Sequence, residues 1–396
     1  MDGKRKGISS GTLLIIILGI VSLFADFVYE GGRSVIPQFF TTVLGGSVFL
    51  LGIVLGVGEF LGYSVRLISG KFADKTRSYW GLMGLGYAIN MLALPLLAFT
   101  GSYLLAAILI VLERVGKGIR APPKDYVVST AASSGKVGRA FAINEALDQT
   151  GAVVGPLVMA LIILAKNNYR FAFEFLFLPA VLAFATLAIA YKFHKKLPKN
   201  RQQESRASPM SSTRFLFYSA AVAISAAGLY NVSFVLVGAQ GHISMYLIPL
   251  IFMTAMIGEG FFGTVFGLLY DKVGKNLVYA GLAATAVIPF VLLGRAPALL
   301  FISALVFGAA IGIQDTVMKS VVGSLIPESK RGSAYGIFNS LYGFGLMAAG
   351  IVVGYLYYTI GAIIVYVIAT QIVAFLLLYL SFREKKTYGN AVTAQI

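Results

Sequence analysis

The chain has 396 residues, is 58% hydrophobic and 12% charged, holds no cysteine and carries a formal net charge of +16. So small a charged fraction excludes an ordinary water-soluble fold, in which about a quarter of residues are charged. The absence of thiols excludes disulfides, thiolate metal sites and thiol nucleophiles, and two loop-side histidines, His194 and His242, argue against a histidine metal site.

Apolar runs approaching the ~20 residues that a helix needs to cross hydrocarbon recur along the whole chain. They do not alternate as barrel strands would, so they are read as helices. The first predicted span, 12–43, follows Lys4, Arg5 and Lys6 and contains Asp26, Glu30 and Arg33. Spacings of four and three put these three charges on one helix face. Asp26 falls ~21 Å along the helix, near the membrane midplane. No small-x-small cleavage site follows, so this helix is read as retained rather than as a signal peptide.

The second span, 47–70, carries Glu59 and Arg66 and runs into Gly70-Lys-Phe-Ala-Asp74-Lys75, with Gly70 read as the turn that ends it. Spans 80–100 and 102–123 follow, the latter with Glu113 and Arg114. Lys117, Arg120 and Lys124 are grouped with Lys136 and Arg139 as cations of or beside the next loop. The fifth span, 138–165, begins with Asn144, Glu145, Asp148 and Gln149 and continues into Gly151-Ala-Val-Val-Gly155-Pro156. Such small residues let helices approach closely, and the proline bends the helix. Span 170–191 completes a first unit, 1–191. A basic, polar stretch with Pro198 and Pro209 then reads as a flexible linker, 192–213.

The second unit, 214–396, has spans at 214–238, 244–270, 276–294, 297–323, 332–358 and 361–383, with Asn231, Glu259, Gln314 and Asp315 inside them. It repeats the first. Gly70–Lys75 recurs as Gly267-Leu-Leu-Tyr-Asp271-Lys272, Gly118-Ile119 as Gly312-Ile313, and Leu147 with Gly151 as Leu341 with Gly345. The fold class expected is therefore all-α and integral to a membrane, with twelve transmembrane helices as two pseudo-symmetric six-helix bundles around a central path. Most basic residues lie in alternate loops and tails, while the opposite loops hold only Lys166, Arg170 and Arg295. This asymmetry places both termini and the central linker in the cytoplasm of a cell-membrane protein.

The segment Gly70–Arg77 resembles the loop motif Gly-x-Leu-Ala-Asp-Arg-x-Gly-Arg-Arg of the major facilitator superfamily, with Arg77 where the second glycine belongs. The second copy keeps that glycine as Gly274. Arg114-Val-Gly-Lys-Gly118 resembles the superfamily's Arg-x-x-Gln-Gly motif, and Gly151–Pro156 resembles the core of its antiporter motif, with Met159 and Ala160 in place of the trailing glycine pair. The resemblance implies a monomeric secondary transporter of a small solute, working by alternating access without a cofactor other than a proton or ion gradient. It also implies a cytoplasmic gate in which Asp74, beside Lys75, meets the start of the eleventh helix, while Asp271, beside Lys272, meets the start of the fifth.

Ionisable side chains inside the bilayer are costly, roughly 2.5–3.5 kcal/mol each on insertion scales, and normally face a cavity or a partner. Asp26, Glu30, Arg33 and Arg114 are expected to form one charged group. Glu59, Glu113, Glu145 and Asp148 make further coupling candidates, and Asn231, Glu259, Gln314 and Asp315 are candidates for the substrate wall. Proton-coupled efflux by antiport is the leading expectation, and uptake by symport uses the same parts. A membrane-embedded enzyme or a transporter-like receptor is the contrasting class. No Gly-x-x-x-x-Gly-Lys-Ser/Thr loop occurs, which argues against ATP-driven pumping. The +16 charge is assigned to membrane topology and not to nucleic acid.

Overall fold

A computed structural model describes residues 10–132, 137–194, 213–294, 296–326 and 331–382. The expected linker lies mostly at 195–212, and both chain ends lie at 1–9 and 383–396, outside the described residues. Within them run twelve long helices. In the first half these are α1 (Ser10–Val43), α2 (Val48–Thr76), α3 (Tyr79–Phe99), α4 (Tyr103–Ala131), α5 (Val137–Lys166) and α6 (Tyr169–His194). The second half holds α7 (Thr213–Ala239), α8 (Ile248–Val273), α9 (Val278–Val291), α10 (Pro297–Leu325), α11 (Arg331–Leu356) and α12 (Ile360–Phe382).

Hydropathy alone picks out ten membrane spans among the described residues, because α8 and α9 read as one stretch and α4 is too charged to qualify. The charges of α4 are the informative exception. That helix continues to Ala131, well past its expected end, so Lys124 is no loop cation, and Lys117 and Arg120 stand well inside the helix rather than beside a loop. Arg120 and Lys124 are buried, and their burial is tolerated only because carboxylates from other helices meet them.

Packing repeats between halves. In the first, α1 lies against α5 and α6, and α4 against α2 and α3; in the second, α7 lies against α11 and α12, and α10 against α8 and α9. The halves meet through α2 on α11 and α5 on α8. Helices in lipid gain no hydrophobic drive from association, so close backbone approach matters. At Gly151 an added Cβ would fall 2.1 Å from the Leu23 carbonyl oxygen, and at its repeat partner Gly345 the same distance from that of Ala223. One contact, α1 on α5, thus recurs as α7 on α11.

The turn after α2 differs from expectation. Gly70 sits within the helix, which runs to Thr76, and the left-handed residue that ends it is Arg77 (φ 56°). At the same place after α8 stands Gly274 (φ 73°). Unlike Arg77, Gly274 combines its positive φ with ψ −153°, a backbone that essentially only glycine adopts, and a Cβ there costs roughly 1–3 kcal/mol. Gly274→Ala should therefore lower thermal stability by about that amount, read as the unfolding midpoint in detergent, while leaving the helices intact by circular dichroism. Asp74 is exposed and accepts a hydrogen bond from the Tyr79 hydroxyl (3.0 Å) of its own half. The helix starts that Asp74 and Asp271 are expected to latch border 327–330 and 133–136, which lie outside the described residues.

At the short-loop end, opposite the basic end, the seam is sealed. Gln38 Nε2 donates to the Leu236 carbonyl (2.9 Å) and Gln240 Nε2 to Thr41 Oγ1 (3.0 Å), both bonds crossing between halves. Nearby in the same helices Ile36, Leu229, Tyr230 and Phe234 are buried. The regular helices are interrupted where the seal meets the cavity. In α1 the regular helix breaks at Ser34-Val35, and in α7 at Gly228–Asn231, where Asn231 Oδ1 caps the next turn by accepting from the Ser233 amide (2.9 Å).

Candidate transport cavity

A cavity of about 150 Å³ lies between the halves on the basic side of this seal. From the first half it is lined by Tyr29, Glu30 and Arg33 of α1, by Glu59, Tyr63 and Arg66 of α2, and by Arg114 and Lys117 of α4. The second half contributes Asn231, Glu259, Asp315, Lys319 and Tyr342, with apolar Met256, Phe307 and Leu346 between them. On α10, Gln314–Met318 winds as a π-helix, a local widening that often accompanies function; Asp315 lies within it and Lys319 follows it, so their ion pair spans the widened turn.

The first-half wall is a shared charge network. Arg33 Nη1 pairs with Glu30 Oε2 at 3.0 Å. Glu59 Oε1 lies 3.0 Å from Arg114 Nη2 and 3.8 Å from Arg33 Nη2. Behind it, out of the cavity, Glu113 is 1% exposed, accepts from Asn90 Nδ2 (2.6 Å) and supports Arg114 Nε at 3.5 Å. Three cations surround Tyr29: Lys117 Nζ lies 3.5 Å from the ring centroid, and the Arg114 and Arg33 guanidiniums 4.9 and 5.1 Å. The negative ring face attracts each of them. On the opposite wall Lys319 Nζ meets Asp315 Oδ1 at 2.7 Å. Glu259 has no cation within ion-pair distance, and its carboxylate accepts no hydrogen bond among the described residues.

Asp26 is not part of this group, contrary to expectation. Its carboxylate sits 3.4 Å from Arg120 Nη2, one helical turn nearer the basic end than Glu30. A further turn along α4, Lys124 Nζ pairs with Asp148 Oδ2 (3.2 Å) and donates to Ser22 Oγ (2.6 Å), which in turn donates to Asn144 Oδ1 (3.4 Å). Arg114, Lys117, Arg120 and Lys124 thus form a ladder on one face of α4, and only its upper two rungs reach the cavity. Glu145 is exposed and bonded to Gln149 Nε2 (3.4 Å), away from the cavity. Gln314 is also displaced from its expected role, being buried in the second half, where it accepts from the Tyr342 hydroxyl (2.6 Å).

Among the expected residues, Glu30, Arg33, Glu59, Arg114, Asn231, Glu259 and Asp315 are brought together on the cavity, and Asp26, Glu113, Glu145, Asp148 and Gln314 are not. Gly151 and Gly155 serve contact between α1 and α5, since a Cβ on Gly155 would lie 2.6 Å from the Phe27 carbonyl oxygen; Pro156 continues α5 beside them. The cavity also holds Tyr29, Tyr63, Arg66, Lys117, Lys319 and Tyr342, which are not among the expected site residues, although Lys117 follows Arg114 by three residues and so shares its face.

Twelve helices in two like halves, closing on a charged cavity at their seam, are an architecture found among membrane transporters. The profile of the Major Facilitator Superfamily matches residues 15–239 and again 216–395, and the chain belongs to that superfamily. It is a multi-pass membrane transporter and not an enzyme. An uncharacterized protein of Mycobacterium tuberculosis is 33% identical over 393 residues, 95% of each chain. An uncharacterized MFS-type transporter of Methanocaldococcus jannaschii is 28% identical, covering 87% of this chain and 88% of its own. Among solved structures, the nucleoside transporter NupG superposes with a TM-score of 0.71 at 16% identity, covering 94% of this chain and all of its own. A variant of the peptide transporter POT gives 0.75 at 17%, covering 93% and 94%. At those identities the likeness is one of fold.

Proposed function

We propose that this transporter exchanges protons for a small solute by alternating access, exporting the solute from a cytoplasm that faces the basic end. Units 1–191 and 214–396 rock about the cavity, joined by the linker 192–213, as a monomer in the cell membrane. The orientation rests on the clustering of lysine and arginine in alternate loops. The observation that carries antiport is Glu259. Every other acid on the cavity wall has a cation within 4.0 Å, whereas Glu259 has none among the described residues. A proton or a positive group of the solute can neutralise it, and each excludes the other. That exclusion is the physical requirement for exchange. The Gly151–Pro156 segment, with its resemblance to the antiporter motif, supports the same direction.

Symport has one observation in its favour. Glu59 lies between two guanidiniums, so its protonation releases two cations and lets an anion enter with the proton. The two readings give opposite proton currents. In liposomes with an imposed pH gradient, screened against amines, amino acids, organic acids, sugars and antibiotics, efflux of solute should draw protons the opposite way. Glu259→Gln should lose the proton current, and the solute flux that remains, weakened because the solute's positive group has lost its partner, should no longer respond to the pH gradient. Solute flux indifferent to the gradient, or a proton current unchanged in Glu259→Gln, overturns the reading; protons and solute moving together select symport.

A further inference from the structure

We infer that the solute is amphoteric, with an anionic group held by Lys117 and Arg66 and a cationic group held by Glu259 across the cavity. This rests on the transport reading above and follows from the pairing of charges. Nine ionisable groups of aspartate, glutamate, lysine and arginine line the cavity. Glu30 with Arg33, Glu59 with Arg114, and Asp315 with Lys319 neutralise one another in contacts of 2.7–3.0 Å. Lys117, Arg66 and Glu259 remain, with no ion pair among the described residues.

The leftover charges are segregated. Lys117 and Arg66 stand on α4 and α2 of the first half, and Glu259 stands on α8 of the second. Both cations rest on aromatic rings, Lys117 Nζ 3.5 Å from the Tyr29 centroid and the Arg66 guanidinium carbon 4.8 Å from that of Tyr63. The rings orient them without cancelling their charge. Arg66 Nε is buried with no hydrogen-bond acceptor, an expense that a ligand oxygen relieves. An unpaired charge in a poorly solvated site is expensive, so the three groups are complementary to an occupant of opposite polarity at each end. The volume of about 150 Å³ is well below the ~300 Å³ at which pockets for drug-sized ligands begin, which restricts the solute to a small metabolite. An α-amino acid or a compact betaine meets both conditions. Because its two ends bind different halves, such a solute also draws the halves together.

The test is binding, independent of any gradient. Full-length protein in detergent is titrated at neutral pH with the protein amino acids and betaine, then with their amides, which keep only the positive charge, and their desamino acids, which keep only the negative one. Thermal shift and calorimetry read the affinity. At least one amphoteric compound should bind roughly tenfold or more tightly than either singly charged analogue, the worth of one charge-assisted bond. Glu259→Gln should remove its advantage over the desamino acid, and Lys117→Gln its advantage over the amide. Should Glu259→Gln not purify intact, Glu259→Asp keeps the charge, shortens its reach and should weaken binding. A desamino acid that matches its amphoteric parent in the wild type overturns the inference, because Glu259 then carries a proton and asks for no cation. Silence of the whole panel also overturns it. Proton-coupled flux of a singly charged solute refutes the inference and spares the transport reading, whereas amphoteric binding without proton-coupled flux does the reverse.

Discussion

Replacing Glu59 with glutamine is expected to abolish transport and to destabilise the first half by about 3 kcal/mol. One carboxylate oxygen of Glu59 serves Arg114 at 3.0 Å and Arg33 at 3.8 Å, with side chains only 18%, 6% and 15% exposed. Removing one partner of a buried ion pair costs about 3–5 kcal/mol, because the surviving charge stays desolvated. Here the lower end applies, since Arg114 retains Glu113 at 3.5 Å and Arg33 retains Glu30 at 3.0 Å. The unfolding midpoint in detergent measures the loss. Adding Arg114→Gln removes the cation that lost its nearer partner but also takes the cation from buried Glu113 (3.5 Å), so the double variant should regain at most part of the stability while remaining unable to transport. The coupling between the two sites then follows from the double-mutant cycle. A single variant with wild-type stability and flux would show that the pair is idle.

That network was only half legible in the sequence. Asp26, Glu30, Arg33, Glu59, Glu113, Arg114 and Glu259 all announce themselves, because a charge within an apolar run must face something other than lipid. The partners of these charges are not written in the local sequence. Arg120 and Lys124 looked like the cations that end a membrane span. In fact Arg120 pairs with Asp26, 94 residues away, and Lys124 with Asp148, 24 residues away, and no local pattern connects either pair. One signal was available. Lys117, Arg120 and Lys124 continue the face of Arg114 at spacings of three and four, and apolar Val127 and Val128 follow, so the helix had not ended. Because Arg120 claims Asp26, that carboxylate leaves the group it was expected to join. Gly70 failed differently. A glycine near a helix end suggests the turn, yet the backbone crosses to the left-handed region seven residues later, at Arg77, a position the repeat marks by placing Gly274 there. The repeat itself was readable, as Gly151 and Gly345 attest: both are forced to glycine by one contact made twice.

Tethering the short-loop end shut is expected to reduce flux to background. Thr41 on α1 and Gln240 at the end of α7 face each other across the seam, Nε2 to Oγ1 at 3.0 Å, beside the bond from Gln38 to the Leu236 carbonyl. If solute crosses by alternating access, these contacts must separate once in every cycle. The chain has no cysteine, so Thr41→Cys with Gln240→Cys supplies the only thiols, and a short reducible bifunctional thiol reagent joins them. Opening would then require breaking a covalent bond instead of two neutral hydrogen bonds worth about 1 kcal/mol each. Cross-linked protein in liposomes should hold solute, reduction should restore flux, and either cysteine alone with the same reagent should leave it unchanged. Gln38→Ala acts in the opposite sense, loosening this end by about 1 kcal/mol and favouring the conformation open there. The two manipulations bias one equilibrium in opposite directions, so each checks the other. Undiminished flux through fully cross-linked protein would mean that this seam does not open during transport, and the cavity would then have to be reached by another path.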